Sequence, residues 1–204
     1  MHPGGIFHEA DLGRLADLVA ERGLAVIVAG AEPPIVGHAP VLLSGGRLRF
    51  HLSRDNRACP AIEASPRVLA VITGADAYIS PDWYALADQV PTWNYMSAEI
   101  EGPTRIMDAG ETRRLLDDLA AHFEARLAPK PPWTRAKMDP DRFEAMLGAI
   151  VGYEMTIERF EGVAKLSQNK PESERRRLAA ALTATGEAGA KAVAKLMARD
   201  APAT

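Results

Sequence analysis

Four stretches of this chain concentrate side chains able to hold a ligand or handle a proton. The first is a hairpin: Ser44-Gly45-Gly46-Arg47 supplies a two-residue glycine turn, and such a turn fixes the register of the strands on either side. With Ser44 opposite Arg47, Pro40 falls opposite His51 and His38 opposite Ser53. One face then carries Ala39, Val41, Leu43, Leu48, Phe50 and Leu52, all apolar and directed into a core. The other carries His38, Pro40, Leu42, Arg49, His51 and Ser53, a polar outer face of the kind that is ordinarily just solvated but here places two histidines diagonally.

The second stretch, Ser53-Arg54-Asp55-Asn56-Arg57, leads into a helical segment beginning near Pro60. Two guanidinium forks, a hydroxyl, an amide and open backbone N–H groups at a helix start are what a phosphate group needs. The competing reading is a solvated turn in which Asp55 caps the helix. Third, Tyr78, Trp83, Tyr84, Trp93 and Tyr95 gather five of the seven Trp and Tyr residues within eighteen positions, a platform for a flat ring or else a satellite core or subunit interface. Fourth, Gly162 to Lys170 sets Lys165, Ser167, Gln168 and Asn169 in close order, suited to a polar ligand edge or to a loop satisfying its own turns.

Other chemistry finds less support. His38 and His51 lack a third ligand at metal-binding spacing, so no metal site is expected. Cys59 has no identifiable histidine partner and reads as a small packing residue. Neither histidine has a carboxylate orienter in sequence, and no catalytic residue is assigned.

The elements that must position these groups follow from periodicity. A helix is predicted from Asp11 to Arg22, stopped by Gly23, and strands over Leu24–Ala29, Val36–Leu43 and Arg47–Ser53. A further strand signal covers Val68–Thr73 and Ala77–Ser80, interrupted at Gly74-Ala75-Asp76, and a long strand covers Trp93–Ile106. Helices are predicted over Ala109–Leu127 and Asp139–Leu147, a strand over Ile150–Phe160, and two amphipathic helices over Glu172–Thr183 and Ala188–Met197, joined around Gly186. About six strands linked by tight turns argue for an antiparallel barrel or sandwich with helical additions, an α+β fold. One domain over 1–204 is expected, with 171–200 as a C-terminal helical extension.

Composition bounds the function. The 204 residues are 47% hydrophobic and 25% charged, with 24 Lys and Arg against 27 Asp and Glu, a net charge of -3. That balance does not suit bulk electrostatic grip on nucleic acid. A local patch is another matter: Arg175, Arg176, Arg177, Lys191, Lys195 and Arg199 cluster on the last two helices, which makes DNA a candidate partner. Against it stand Glu172, Glu174 and Glu187, and an apolar stripe that suits a helical hairpin covering the barrel. A single cysteine excludes a disulfide framework. The start lacks a signal-peptide pattern and no apolar run reaches the roughly 18 residues of a membrane span, so the expectation is a cytoplasmic protein without membrane partners.

Taken together, Gly37-His38-Ala39-Pro40, Phe50-His51-Leu52-Ser53-Arg54-Asp55-Asn56, Ala77 to Tyr84, Val90 to Tyr95, Ile150-Val151-Gly152-Tyr153-Glu154 and Lys165-Leu166-Ser167-Gln168-Asn169 resemble, in this order, the PaiB-type family of FMN-binding negative transcriptional regulators. The resemblance implies an antiparallel split β-barrel like that of pyridoxamine phosphate oxidases and flavin reductases. It further implies a homodimer binding two FMN molecules at its interface. On this resemblance the FMN-binding residues are His38, Pro40, Ser53, Arg54, Asn56, Trp93, Asn94, Lys165, Ser167 and Gln168. Arg57 departs from the pattern, since proline follows the asparagine in the family and here Pro60 comes three residues later. The function implied is a regulator or flavin-dependent sensor, with an FMN-dependent oxidoreductase as the alternative.

Overall fold

The computed structural model describes residues 4–30 and 32–199; Met1 to Pro3 at the start and the end of the C-terminal extension, at 200, lie outside them. Among the described residues eight strands form: β1 (His8–Glu9), β2 (Leu24–Ala29), β3 (Ile35–Ser44), β4 (Arg47–Ser53), β5 (Arg67–Ile79), β6 (Thr92–Ile106), β7 (Ile150–Thr156) and β8 (Arg159–Lys165). Six α-helices accompany them among the described residues: α1 (Leu12–Arg22), α2 (Ala58–Ala64), α3 (Ala109–Glu124), α4 (Pro140–Gly148), α5 (Glu172–Ala184) and α6 (Ala188–Arg199). The described residues divide into two compact units, one within 16–72 with 99–160, the other of 4–15, 73–98 and 161–199.

The first unit is built on a ring of pairings. Its strands run β5-β2-β3-β4-β7, and β7 pairs in addition with β6, the other neighbour of β5. All the registered pairs are antiparallel. The alternation read from sequence produces the core: Ile27, Ala39, Val41, Leu48, Phe50, Leu52, Ile72, Ile100, Tyr153 and Met155 are buried, and the Phe50 and Tyr153 rings stack at 5.2 Å. Gly45 and Gly46 adopt φ of 56° and 71°, the left-handed pair that a twisted two-residue hairpin turn requires. Outside the ring, α3 lays Leu115 and Leu119 with Met107 against Leu42 and Phe123. Close approach of α3 to β7 depends on Gly152, where a Cβ would meet Thr112 Oγ1 at 2.4 Å.

The second unit contains the strand order β1-β8-β6-β5 with α5 and α6. Leu178 and Leu182 of α5 and Val193 and Met197 of α6 are buried, as the amphipathic pattern predicts. The two helices turn at Gly186, whose φ is +83°.

Several expectations need correction. The predicted strand Ile150–Phe160 is two strands, β7 and β8, broken at Ile157-Glu158. Conversely, Gly74-Ala75-Asp76 does not interrupt β5. The β3–β4 ladder confirms Ser44 opposite Arg47 but ends at Val41 opposite Phe50, so the inferred His38–Ser53 and Pro40–His51 pairs are absent from it. Instead β3 bonds β2 over 35–40, with His38 opposite Val26 and Pro40 opposite Leu24. Proline offers no N–H to a ladder, and Gly37 at this point lies against Leu52 of β4 and against Asn56 and Ala58 of the segment that follows it. Leu43, assigned to the core face, is only half-buried.

Candidate functional site

The hairpin face divides in two. Arg49 is paired with Asp118 of α3 at 3.0 Å. His51, opposite Gly152 of β7, is half-buried, and its Nδ1 is buried without a hydrogen-bond partner among the described residues. Burial pushes its imidazole below the ordinary value. His38 is exposed and Pro40 half-buried. The histidines that sequence placed on one site thus sit in different surroundings, and among the described residues no cluster able to hold a metal ion forms.

Beside His38 lies the turn after β4. A Cβ on Gly37 would come within 3.6 Å of Asn56 Oδ1, so the absence of a side chain at 37 lets the strand bearing His38 abut the turn. Arg57 stands at the N-cap of α2 without a side-chain cap bond, and it is Asn56, one residue earlier, rather than Asp55, whose Oδ1 accepts from Ala58 N at 2.9 Å. Its backbone N–H bonds the Ser53 carbonyl at 2.9 Å. Arg54 donates from Nε to the Gly148 carbonyl at 3.0 Å and from Nη2 to the Ile150 carbonyl at 3.2 Å. Two anchors fix the guanidinium plane and leave Nη1 to face other partners. Ser53, Arg54 and Arg57 are all exposed. Cys59 is buried, its thiol donating to the Ser53 carbonyl at 3.3 Å, which bears out its packing role.

The remaining candidates belong to the second unit. Trp93 of β6 is 54% exposed and Tyr78 of β5 47% exposed, and their rings meet edge to face, centroids 6.1 Å apart. Lys165 of β8 is half-buried, donates from Nζ to Thr92 Oγ1 at 2.5 Å, and has its pKa lowered by desolvation. Asn94, Ser167 and Gln168 turn inward. Asn94 is fully buried, donates to Ser167 Oγ at 3.0 Å and accepts from the same hydroxyl at 3.3 Å. Ser167 takes a left-handed φ of 60°, and these bonds over-determine it. Gln168 Oε1 accepts from Leu166 N at 2.7 Å, and its Nε2 donates to the Ala164 carbonyl. The ten predicted residues therefore fall into two groups: His38, Pro40, Ser53, Arg54 and Asn56 in one unit, and Trp93, Asn94, Lys165, Ser167 and Gln168 in the other.

Sequence reasoning missed one feature of the first unit. The outer face of β2 and β3, with the adjoining residues of β5, is apolar. Leu24 is 56% and Val36 53% exposed, with Val26, Val28, Leu69 and Val71 half-buried beside them and His38 among them. The signal was in Leu24 to Ala29, where both alternating sets are apolar.

A phosphate-bearing flavin needs a cationic, hydroxyl-rich corner, polar groups for its chain and a flat apolar surface for its rings. Within the first unit Arg54 Nη1, Arg57 and Ser53 supply the cationic, hydroxyl-rich corner and the half-buried Pro40 and apolar β2–β3 face supply flat apolar surface, so the residues present fit the group; in the second unit, taken by itself, the Trp93–Tyr78 pair is exposed. Such a donor set on an antiparallel α+β sheet defines a flavoprotein of the split-barrel class. The family described as "Putative FMN-binding domain" matches residues 1–159; the chain belongs to this family, and FMN is its cofactor. It is 27% identical over 186 residues to the protease synthase and sporulation protein PAI 2 of Bacillus subtilis, covering 89% of this chain and 88% of that protein. It shares the fold of the flavocytochrome Anf3 of Azotobacter vinelandii, with a TM-score of 0.63 and 14% identity over 85% of this chain and 77% of that one. An FAD and heme binding protein of Mycobacterium smegmatis superposes with a TM-score of 0.59 at 18% identity over 88% of this chain and 80% of that chain. Among the described residues no helix is long and apolar enough to cross a membrane.

Proposed function

We propose that the chain is a homodimeric FMN flavoprotein of the PaiB type, working as a negative transcriptional regulator or flavin-dependent sensor, with FMN bound where two copies meet. The observation that carries this reading is the apolar outer face of β2, β3 and β5. An antiparallel sheet that faces water normally alternates apolar and polar side chains, whereas Leu24 and Val36 here stand more than half exposed with His38 between flanking valines. Contiguous exposed apolar surface marks an interaction site, and a second copy of the same face is self-complementary.

In this reading Ser53, Arg54 and Arg57 hold the phosphate, and the bonds from Arg54 to the Gly148 and Ile150 carbonyls keep its guanidinium oriented before the cofactor arrives. Asn56 shapes the turn, and Pro40 and His38 line the cofactor from β3. In the second unit, taken by itself, Trp93 offers an exposed ring face and Lys165 a positive charge already poor in hydration as candidate cofactor contacts, and Asn94, Ser167 and Gln168 fix the loop that follows Lys165. Bound FMN supplies one- and two-electron chemistry that side chains lack. The exposed Arg177, Lys191, Lys195 and Arg199 of α5 and α6 support contact with DNA in the regulatory role.

The test is an absorbance and fluorescence titration of the purified protein with FMN, followed by NADH or NADPH. Micromolar or tighter binding that weakens in Arg54→Ala is the expected result, and an unchanged dissociation constant removes Arg54 from the site. Bleaching by the nicotinamide would favour an FMN-dependent oxidoreductase over a sensor. A gel shift that declines steeply with salt is expected if DNA is contacted directly.

A further inference from the structure

A cleft of about 200 Å3 opens in the first unit, lined by Ile62, Glu63, Pro66, Thr104, Ile106 and Tyr153. Its walls are apolar where Ile62, Pro66 and Ile106 stand, and Ile106 is 53% exposed at the end of β6. At its floor, Tyr153 has no exposed surface and its hydroxyl finds no hydrogen-bond partner among the described residues. The neighbouring Cys59 thiol spends its single proton on the Ser53 carbonyl, so sulfur offers the phenol only a weak acceptor. At the rim, Glu63 is exposed and makes no ion pair among the described residues. Thr104 donates its N–H and its hydroxyl to the Pro66 carbonyl, at 2.7 and 2.6 Å, which leaves the lone pairs of Thr104 Oγ1 as acceptors.

Glu63 and the Thr104 hydroxyl oxygen offer acceptors to this cleft, the Tyr153 hydroxyl can accept as well as donate, and the one formal charge lining it is negative. A carboxylate or phosphate would meet like charge at Glu63. Buried polar groups without partners are uncommon and call for an explanation. From this geometry we propose that the cleft binds a small organic ammonium ion. Its apolar body rests on Ile62, Pro66 and Ile106, and its N–H groups bond the Glu63 carboxylate and the Tyr153 hydroxyl oxygen. The phenol then accepts from the ammonium and keeps its proton toward the Cys59 sulfur. Burial, the Cys59 thiol and the charge of Glu63 raise the Tyr153 pKa against the opposing influence of Arg54, so the phenol is neutral throughout.

The probe is benzylammonium chloride, titrated into the full chain labelled with 15N and followed at the amides of residues 62–64, 104–106 and 153. Saturable shifts confined to these positions are expected, with benzyl alcohol about tenfold weaker and Glu63→Gln weakening the ammonium by about tenfold. Tyr153→Phe keeps the ring and the fold; it is expected to weaken binding while leaving the melting temperature unchanged or raised, which separates a lost contact from a damaged structure. Shifts that never saturate, an equal response to benzyl alcohol, or an unaltered affinity in Glu63→Gln each overturn the proposal. FMN affinity is read in parallel and is expected to be the same in Glu63→Gln, since this site does not depend on the flavin reading.

Discussion

At the scale of single residues, the informative groups are those buried without partners. The Tyr153 hydroxyl is fully buried and unpaired, so the fold bears its desolvation with no return hydrogen bond. Tyr153→Phe removes that oxygen and retains the stack on Phe50, and should stabilise the ligand-free protein by about 1 kcal/mol, a rise of roughly 2–4 °C in Tm. Thermal unfolding of the two proteins side by side decides it, and a lower Tm in the variant would show that the hydroxyl is satisfied. His51 makes a pH-dependent counterpart. Burial pushes its pKa down, while in the unfolded chain it titrates near 6.5. The unfolded state then binds more protons, so stability is complete above about pH 6.5 and falls as pH drops toward the folded value. Urea unfolding at pH 7 and pH 5 should show a loss in the parent that shrinks in His51→Gln. His38 and His51 looked equivalent in sequence because hairpin alternation assigns a face and does not report what covers it; in the structure His51 is half-buried on β4 opposite Gly152 of β7, whereas His38 is exposed on β3 opposite Val26.

The α3 helix shows what an element owes to its ends. Asp108 Oδ1 accepts from Glu111 N at 2.7 Å and Asp108 N donates to Glu111 Oε2 at 2.9 Å, a reciprocal capping box. Asp108→Ala should cost about 1 kcal/mol of stability by denaturant titration. Glu111 also takes two bonds from Arg105, which with the Asp108 backbone N–H hold its carboxyl down to about 2. Its stabilising contribution is thus present above the unfolded value of roughly 4.3 and lost as pH falls toward 2. Acid unfolding of Glu111→Gln should lose that dependence. Elements with punctuation were legible: Leu24–Ala29 and Arg47–Ser53 agree with β2 and β4 to the residue, because Gly23 and the Gly45-Gly46 turn bound them. The β7–β8 break was not legible, because Ile157-Glu158 contains neither Gly nor Pro. It is set by tertiary bonds, Glu158 N to the Glu101 carbonyl at 3.0 Å and Ile157 N to the Gly46 carbonyl at 3.4 Å. Nor does local sequence announce that a Cβ on Gly102 would lie 1.9 Å from the Thr156 carbonyl oxygen. Gly102→Ala should force β6 off β7 and destabilise the fold well beyond an ordinary surface substitution, a loss visible in the same denaturant titrations.

For the molecule as a whole, the question is what the apolar sheet face is for. A chain of this size can bury a full core without a partner, and the interior of the β2–β5 region is filled by Ala25, Ile27, Ala39, Val41, Ala70 and Ile72. Leu24 and Val36 are therefore surplus to the core, and their exposure is unfavourable in a lone chain but favourable once matched against the same face of another copy. Because His38 lies on that face and Gly37 brings its strand against the Ser53–Asn56 turn, association and cofactor binding are predicted to be linked. Val36→Asp places a charge where apolar contact is needed, yet it sits at an already exposed position opposite Val28 and should leave the fold intact. Light scattering after gel filtration should give twice the 22.0 kDa chain mass for the parent and the single-chain mass for Val36→Asp. FMN affinity should fall in the same variant, and adding FMN to the parent should shift any residual monomer toward the dimer, as linkage requires. A monomeric Val36→Asp that binds FMN as tightly as the parent would place the cofactor within one copy and separate flavin binding from assembly.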